Sequence, residues 1–438
     1  MKFSKNQIIN NVKAINLSYE GLGVVKLNNY TIFVENLLTG ESADIEIKKA
    51  NNKFAFAKVI KRFDSSQQRL NIANEQLMKS GATPLAILSY SDQLKFKEEF
   101  VKYLFARNIH FDNVFSILEN KKPWAYRNKI TVFVSKQNSK IIFGLYEKNT
   151  HNIIEQYSYD LANEEINHLI KWLSNNINNF NEFIANIDAI ESFTFRYSKT
   201  FDEHLIIINA KKNIKIGQNF LKIISSHFPN LVNIIINIKS NKKNKYFALL
   251  NNKNSIKDKI GKNIVNINWN SFFQVNSSQT ERLYQLLIDN LKVDKNDIVI
   301  DAYCGVGSIA LSIAPYVKKV YGLEIIQDAV LNAKQNARIN NINNCEFFAG
   351  DVEDNFFKIK NANILVVDPP RSGLSTNFIN LILKYKPKKI GYISCNIHTM
   401  CRDIDLFLKN GYKLDYLRPC DMFSQTHHIE CVGVLSKN

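Results

Sequence analysis

Cysteine is missing from most of this 438-residue chain: the six present, Cys304, Cys345, Cys395, Cys401, Cys420 and Cys431, all lie in the last third. No two form a C-x-x-C pair, which excludes a disulfide framework and the usual zinc and cluster spacings. Free thiols in a reducing compartment are the simple reading. The chain also lacks any apolar run of 18 residues, and its first segment, MKFSKNQIINNVKAI, has no continuous apolar core. No membrane helix or secretory signal is therefore read, and a soluble, cytoplasmic protein is expected. Acidic residues are short: 57 Lys plus Arg against 40 Asp plus Glu leave a net charge of +17. That balance suits a polyanion such as nucleic acid, and equally a Lys- and Asn-rich proteome.

The length calls for two or three domains. Residues 1–63 read as short strands broken by Gly21, Gly23 and Asn-Asn turns, the pattern of a small β-barrel. Its ten basic and six acidic residues over 1–65 suit a backbone-binding accessory module or a solvated barrel without a ligand. Residues 66–262 read as mixed α and β. A helix is predicted over 92–108, with others at 161–177 and 216–226. Strands are predicted at 129–135, 141–146, 193–197, 204–210 and 231–239. Part of 92–120 is assigned to pack on the C-terminal domain. Lys239 to Lys262 holds eight lysines and one acid, Asp258, either an RNA phosphate contact or a solvated face.

Residues 263–438 alternate apolar runs with helical patterns. The runs at 298–302, 319–323, 364–367 and 389–394 predict an open, mostly parallel α/β sheet. Ligands of such sheets sit outside the carboxyl ends of the strands. Asp301 ends the first run in DAYCGVG, where Gly305 and Gly307 permit a tight turn close to a ligand. The motif is not the full dinucleotide fingerprint and has no P-loop lysine. Glu324, ending the second strand, is placed to accept hydrogen bonds from ribose hydroxyls. Asp351, ending the third, is placed at an adenine edge. This trio suits S-adenosylmethionine better than NAD, unless Glu324 and Asp351 are helix caps.

The fourth strand ends in Asp368-Pro369-Pro370-Arg371, a rigid turn able to shape a slot for a flat base. Asp368 is assigned to bond that base and Arg371 to orient chain or contact phosphate. Cys395, at the next strand end, is a candidate nucleophile. A thiolate can add to C6 of a pyrimidine and make C5 nucleophilic enough to take a methyl group. Otherwise it is a small buried apolar residue. Glu430, before the strand CVGVL, is a candidate base for the C5 proton. His427–His428 is not read as a metal pair, and no metal is expected. Gln274 and Asn276 either read a base, hold the cofactor or shape the loop.

Together these motifs resemble the RNA uracil-5-methyltransferase family over nearly the whole chain. YRNKI at 126–130, FGLYEKNTH at 143–151, SFFQVN at 271–276, DAYCGVG, DPPR, SCN and the DMFSQTHHIE tail occur in the family's order. The resemblance implies an α/β protein with an N-terminal TRAM-like β-barrel (1–63), a central mixed α/β RNA-binding domain (66–262) and a Rossmann-like class I methyltransferase domain (263–438). It implies S-adenosylmethionine as cofactor and 23S ribosomal RNA, or alternatively transfer RNA, as partner, with a monomer as the default state. It also implies Cys395 as nucleophile and Glu430 as base. Gln274, Asp301, Tyr303, Gly305, Gly307, Glu324, Asp351 and Asp368 fall on the cofactor side. Asn276, Pro369, Arg371 and Arg127 fall on the substrate side.

The chain departs from the family in three places. The central stretch that holds a four-cysteine iron–sulfur cluster in many ribosomal members has no cysteine; Ser80, Gly81 and Ala82 stand near the usual Cys-Gly-Gly-Cys. No cluster is expected. Ile397 replaces proline after SCN, and Ser424 replaces proline in DMFSQ, while Arg402–Asp403 is retained. The barrel favours a ribosomal substrate. A cytosine-5 methyltransferase is disfavoured because no cysteine adjoins the proline motif, and an inactive RNA-folding factor because Cys395 and Glu430 are present.

Overall fold

The computed structural model describes residues 3–72, 74–138, 140–239 and 245–437, with the side chain of Glu75 excepted. Two compact units result: Met1–Phe100 with Phe423–His428, and Val101–Met422 with Ile429–Asn438.

The first unit contains six strands: β1 (Ile8–Lys13), β2 (Asn16–Leu17), β3 (Gly23–Leu27), β4 (Tyr30–Glu35), β5 (Ser42–Ala50) and β6 (Phe54–Arg62), hydrogen-bonded in the order β1-β5-β6-β4-β3-β2. Alternate residues point inward, so Ile32, Val34, Ile45, Ile47, Ala55 and Ala57 form one core. The chain between β1 and β2 joins the two edges: the Ala14 amide donates to Glu41 O and the Ile15 amide to Val24 O. The β-barrel expected from the sequence is thereby present. Glu41 is fully buried, where it accepts from Arg69 and from the amides of Leu38 and Ser66. Burial pushes its carboxyl up, but these bonds outweigh it and hold Glu41 below the usual range. In the same unit, Gln93 and Gln425 exchange hydrogen bonds, Gln93 Nε2 to Gln425 Oε1 at 2.8 Å and the Gln425 amide to Gln93 Oε1 at 3.0 Å.

The second unit holds two larger sheets. The first has seven strands, β7 (Lys129–Gln137), β8 (Lys140–Tyr146), β9 (Ile153–Glu155), β10 (Ile190–Ser198), β11 (Glu203–Ala210), β12 (Leu231–Ile238) and β13 (Lys245–Ala248), in the order β13-β12-β11-β10-β7-β8-β9. One face buries Val132, Phe193, Phe195, Ile206, Ile208, Ile234 and Ile236 against the helices Glu164–Asn176 and Gln218–His227. The other face carries a hydrogen-bonded row in which Asn237 donates to Asn209, Asn209 to Ser192 and Thr194, and Thr194 meets Thr131. These elements match the expected ones within a few residues. Part of the lysine run after Lys239 lies outside the described residues; Lys239 itself pairs with Glu191.

The boundary expected at 262/263 falls on the turn of a hairpin, β14 (Ser255–Ile260) with β15 (Asn263–Asn268), in which Ile260 pairs with Asn263. Three asparagines at four-residue spacing along and just past the helix Gln327–Ile339 grip β15. Asn340 and Asn336 each exchange two hydrogen bonds with Ile264 and Asn266, and Asn332 accepts from Asn268. Side-chain amides here imitate a neighbouring strand, which ties the hairpin to the last domain.

The final sheet comprises β16 (Ile298–Ala302), β17 (Lys319–Glu324), β18 (Cys345–Ala349), β19 (Ile364–Val367), β20 (Lys389–Ser394), β21 (Tyr412–Cys420) and β22 (Glu430–Lys437). Their order is β18-β17-β16-β19-β20-β22-β21. The strands β16–β20 are parallel, short and apolar because helices cover both faces. β22 runs antiparallel to β20. Residues 115–118 run beside β21, the Phe115 amide donating to Leu417 O and the Leu118 amide to Pro419 O.

Candidate active site

The strand order reverses at β16, between β17 and β19, so the crevice lies over the carboxyl ends of β16–β20. Because β22 is antiparallel, its first residue, Glu430, reaches the same edge. The register pairs Ser394 with Cys431, and one step beyond stand Cys395 and Glu430. Sequence-distant thiol and carboxylate are thus brought together by topology alone.

The first loop over this edge is shaped by its glycines and by two acids. Gly305 has φ +54° and no heavy atom within 4 Å of where a Cβ would stand, so the loop borders open space. Gly307, at φ +86°, lies with the side chains of Ala333 and Phe347 3.1 Å from that point. Any side chain would strain both. Tyr303 also takes a left-handed φ of 65°, and burial, with Glu353 and Asp351, pushes its phenol up to about 12. Glu324 holds the loop: Oε2 accepts from the Gly305 amide at 3.0 Å and Oε1 from the Ile326 amide at 2.9 Å. Asp301 is fully buried; its Oδ2 accepts from the Ala310 amide at 2.9 Å, while Oδ1 has no partner among the described residues. Burial, then Asp368 and Glu324, push the Asp301 carboxyl well up. An unmatched buried acceptor costs free energy unless a ligand donor meets it. Asp351 caps the helix Val352–Phe356 through the Glu353 amide at 2.7 Å, leaving its other oxygen to solvent.

The second half of the crevice is laced together by backbone contacts. Asn396 Nδ2 donates to Arg371 O at 2.8 Å, joining the DPPR turn to the residue after Cys395. Asn396 also caps the helix Ile397–Leu408. Asp403 Oδ2 accepts from the Leu374 amide and from the Tyr392 hydroxyl. Arg402 pairs with Asp403 and donates to the carbonyls of Ser372 and Leu374. Pro369 is buried and Arg371 exposed.

Electrostatics mark these residues as one cluster. Burial pushes the Cys395 thiol up to about 11, Glu430 and Asp368 adding to the rise and Arg371 opposing it. Asp368 and Glu430 are both raised by burial, and Glu430 further by Asp368. Two such carboxyls share a proton rather than ionise together. Glu430 Oε2 is buried without a hydrogen-bond partner among the described residues. The phenol of Tyr284, on the helix Ser277–Leu291, is raised by burial and then by Asp368, Asp301 and Glu430, which places it beside the same acids.

Gln274 and its loop reach this region from the N-terminal side. Asn128 Nδ2 donates to Gln274 O and Ser277 Oγ, while the Gln274 side chain bonds no other described residue. Asn276 was expected on the substrate side or as loop structure. It caps the helix Ser277–Leu291 through the Gln279 amide and donates to Met422 O, so its polar atoms are occupied and it is buried. Arg127 lies against the Tyr126 ring, with a buried Nε lacking a partner. Sequence reasoning missed Tyr284, Ile325, Ile326 and Phe272. Phe272 is 73 % exposed beside a buried Phe273; adjacent aromatics in an extended loop cannot share one buried side, and that was the available signal. Ile325 and Ile326, exposed just after Glu324, carried no polar mark to single them out.

The family model described as tRNA (Uracil-5-)-methyltransferase matches residues 89–438, and the TRAM domain model matches residues 11–60. Among curated relatives, a protein of Lactobacillus johnsonii named as an uncharacterized RNA methyltransferase is 35% identical over 454 residues, 99% of each chain. A similarly named protein of Streptococcus pyogenes is 36% identical over 451 residues, 99% of this chain and 97% of its own. Among solved structures, the Pyrococcus abyssi tRNA (uracil-54, C5)-methyltransferase, in complex with S-adenosyl-L-homocysteine, matches with a TM-score of 0.74 at 21% identity. That match covers 97% of this chain and 100% of the other, likeness of fold from barrel to catalytic sheet.

Proposed function

The chain belongs to the tRNA (uracil-5-)-methyltransferase family, and from that premise we propose that it methylates C5 of a uridine in 23S ribosomal RNA through a covalent Cys395 adduct. The observation that supports the covalent chemistry in this reading is the placing of Cys395 opposite Glu430, with Asp368 and Arg371 beside them. S-adenosylmethionine supplies the electrophilic methyl group when bound. The chain's residues fit it: the open Gly305–Gly307 turn borders its methionine end, and the unpartnered Asp301 Oδ1 suits its ammonium group. Glu324 suits the ribose, Asp351 the adenine edge, and Gln274 the methionine side.

Cys395 gives up its proton to water and Sγ bonds to C6 of the uracil, moving charge toward O4. C5 then takes the methyl group. Glu430 removes the C5 proton, the C6–S bond breaks, and the C5–C6 double bond re-forms with the thiolate as leaving group. Asp368 holds the base edge, Arg371 favours the charged thiolate, and Phe272 offers a stacking face for an extruded base.

A second reading, a T-loop uridine in transfer RNA, is favoured by one fact. The Pyrococcus abyssi structure spans this fold including the barrel, so the barrel does not discriminate between substrates. Tritiated S-adenosylmethionine with separated ribosomal and transfer RNAs lacking 5-methyluridine tests both. Label as 5-methyluridine in 23S RNA, lost in Cys395→Ala, supports the first reading; label confined to transfer RNA overturns it in favour of the second. No iron–sulfur cluster is proposed, and stoichiometric iron and sulfide in protein purified without air would contradict that.

A further inference from the structure

A concavity of about 410 Å³ opens beside Tyr246, Trp269 and the first turns of the helix Gln327–Ile339. Its volume lies within the ~300–1,000 Å³ of small-ligand sites. Two of its walls are aromatic: the Tyr246 and Trp269 rings stand 5.2 Å apart at 43°. Asn254 bonds both residues, its Nδ2 donating to the Tyr246 hydroxyl at 3.3 Å and its carbonyl accepting from the Trp269 amide at 2.8 Å. Leu331, 54 % exposed, adds an apolar wall. Asn270 supplies an amide able to donate and accept. Asp328, exposed in the first helical turn, has no hydrogen bond or ion pair with another described residue.

We propose that this concavity is a second nucleobase subsite, which takes an unpaired guanine of the RNA substrate. The proposal rests on the RNA methyltransferase reading and adds to it a place where RNA is held outside the reacting uridine. Aromatic faces stack on any base, but the polar groups choose. A carboxylate only accepts, and guanine presents an N1–H and an N2 amino group side by side, whereas uracil presents one N–H. The subsite is coupled to the crevice through one short segment. Asn270 precedes Phe272 and Gln274 in the same loop, and four residues span no more than about 14 Å. Ser271 pins that loop, its carbonyl accepting from Arg196 and its hydroxyl donating to Asn332. Trp269 is mostly buried, so the exposed Tyr246 ring gives the stacking face, and a base bonded there to Asn270 sets the register of the strand that enters the crevice.

Ultraviolet irradiation of the full chain with 23S ribosomal RNA, followed by mass-spectrometric mapping, tests the subsite directly. Guanosine adducts on Tyr246 or Trp269 are expected. Tyr246→Ala and Asp328→Asn are each expected to weaken RNA binding about tenfold; both side chains are exposed, so neither substitution opens the core. Adducts elsewhere only, with affinity unchanged in both variants, overturn the proposal. Uridine adducts at Tyr246 overturn the choice of guanine. If no RNA accepts a methyl group, the proposed function fails, while adducts and affinities still decide the subsite because they need no turnover.

Discussion

Cys395 and Glu430 stand opposite each other one register step beyond the last β20–β22 pair, Ser394 with Cys431. The thiol therefore lives in the field of two carboxyls and one guanidinium, and each has a readable effect. Asp368 and Glu430 share a proton, so replacing one lets the other ionise and leaves the negative charge in place. The double variant Asp368→Asn Glu430→Gln removes it. Alkylation of Cys395 by iodoacetamide at pH 9 should then speed up about tenfold for each unit its pKa of about 11 falls. Arg371→Gln should slow it. Peptide mapping separates Cys395 from the other five thiols, and equal rates in all three proteins would remove these groups as the control on the thiol.

Asp403 touches neither proposed substrate nor cofactor, yet it should control turnover. It joins the segment after DPPR, through the Leu374 amide, to Tyr392 of the strand that ends just before Cys395. Asp403→Asn leaves a buried donor facing donors, a loss of about 2–3 kcal/mol. We expect kcat to fall at least tenfold and the melting temperature to drop, with affinity for S-adenosylmethionine retained. A drop in melting temperature with kcat intact would confine the residue to stability.

What was legible in the sequence, and what was not, divides by physics. Strands such as Ile298–Ala302 and Ile364–Val367 announced themselves because two-sided burial demands short continuous apolar runs. The strand-end acids and Cys395 followed from that rhythm. Asn276 stayed open between loop and site because an asparagine's amide reads alike whether it caps a helix or binds a base. The asparagine grip on β15 was invisible because its partners are backbone atoms some 70 residues away. Tyr284 was passed over because a tyrosine at helical spacing reads as core.

His204 is a histidine the fold keeps neutral. It is wholly buried, packs 4.6 Å from the Tyr197 ring, and neither ring nitrogen has a partner among the described residues. Burial pushes it down to about 4. The unfolded chain takes up the proton first, near pH 6.5, so stability is full above that pH and falls as pH drops toward 4. The loss is about 2–3 kcal/mol over that window. His204→Phe should flatten this part of the profile of melting temperature against pH. An unchanged slope would show that other groups set it.

Asn336 joins the hairpin to the Gly305–Gly307 turn, where we propose the cofactor lies. Its Nδ2 donates to Asn266 O at 3.2 Å and to Val306 O at 3.1 Å, and its Oδ1 accepts from the Asn266 amide. Val306 lies between Gly305 and Gly307, two residues with left-handed φ that have no side chain to fix them. The carbonyl between them is therefore held from below by one amide. Asn340 grips the same hairpin through Ile264 but does not touch the turn. Both Asn336→Ala and Asn340→Ala strip hydrogen bonds from β15 and should lower the melting temperature. Only Asn336→Ala should also loosen the turn, raising the dissociation constant for S-adenosylmethionine about tenfold by the loss of one buried hydrogen bond. Calorimetric titration of the two variants separates the effects: equal weakening in both would mean the hairpin as a whole supports the cofactor, and no weakening in either would mean the turn holds its shape without Asn336.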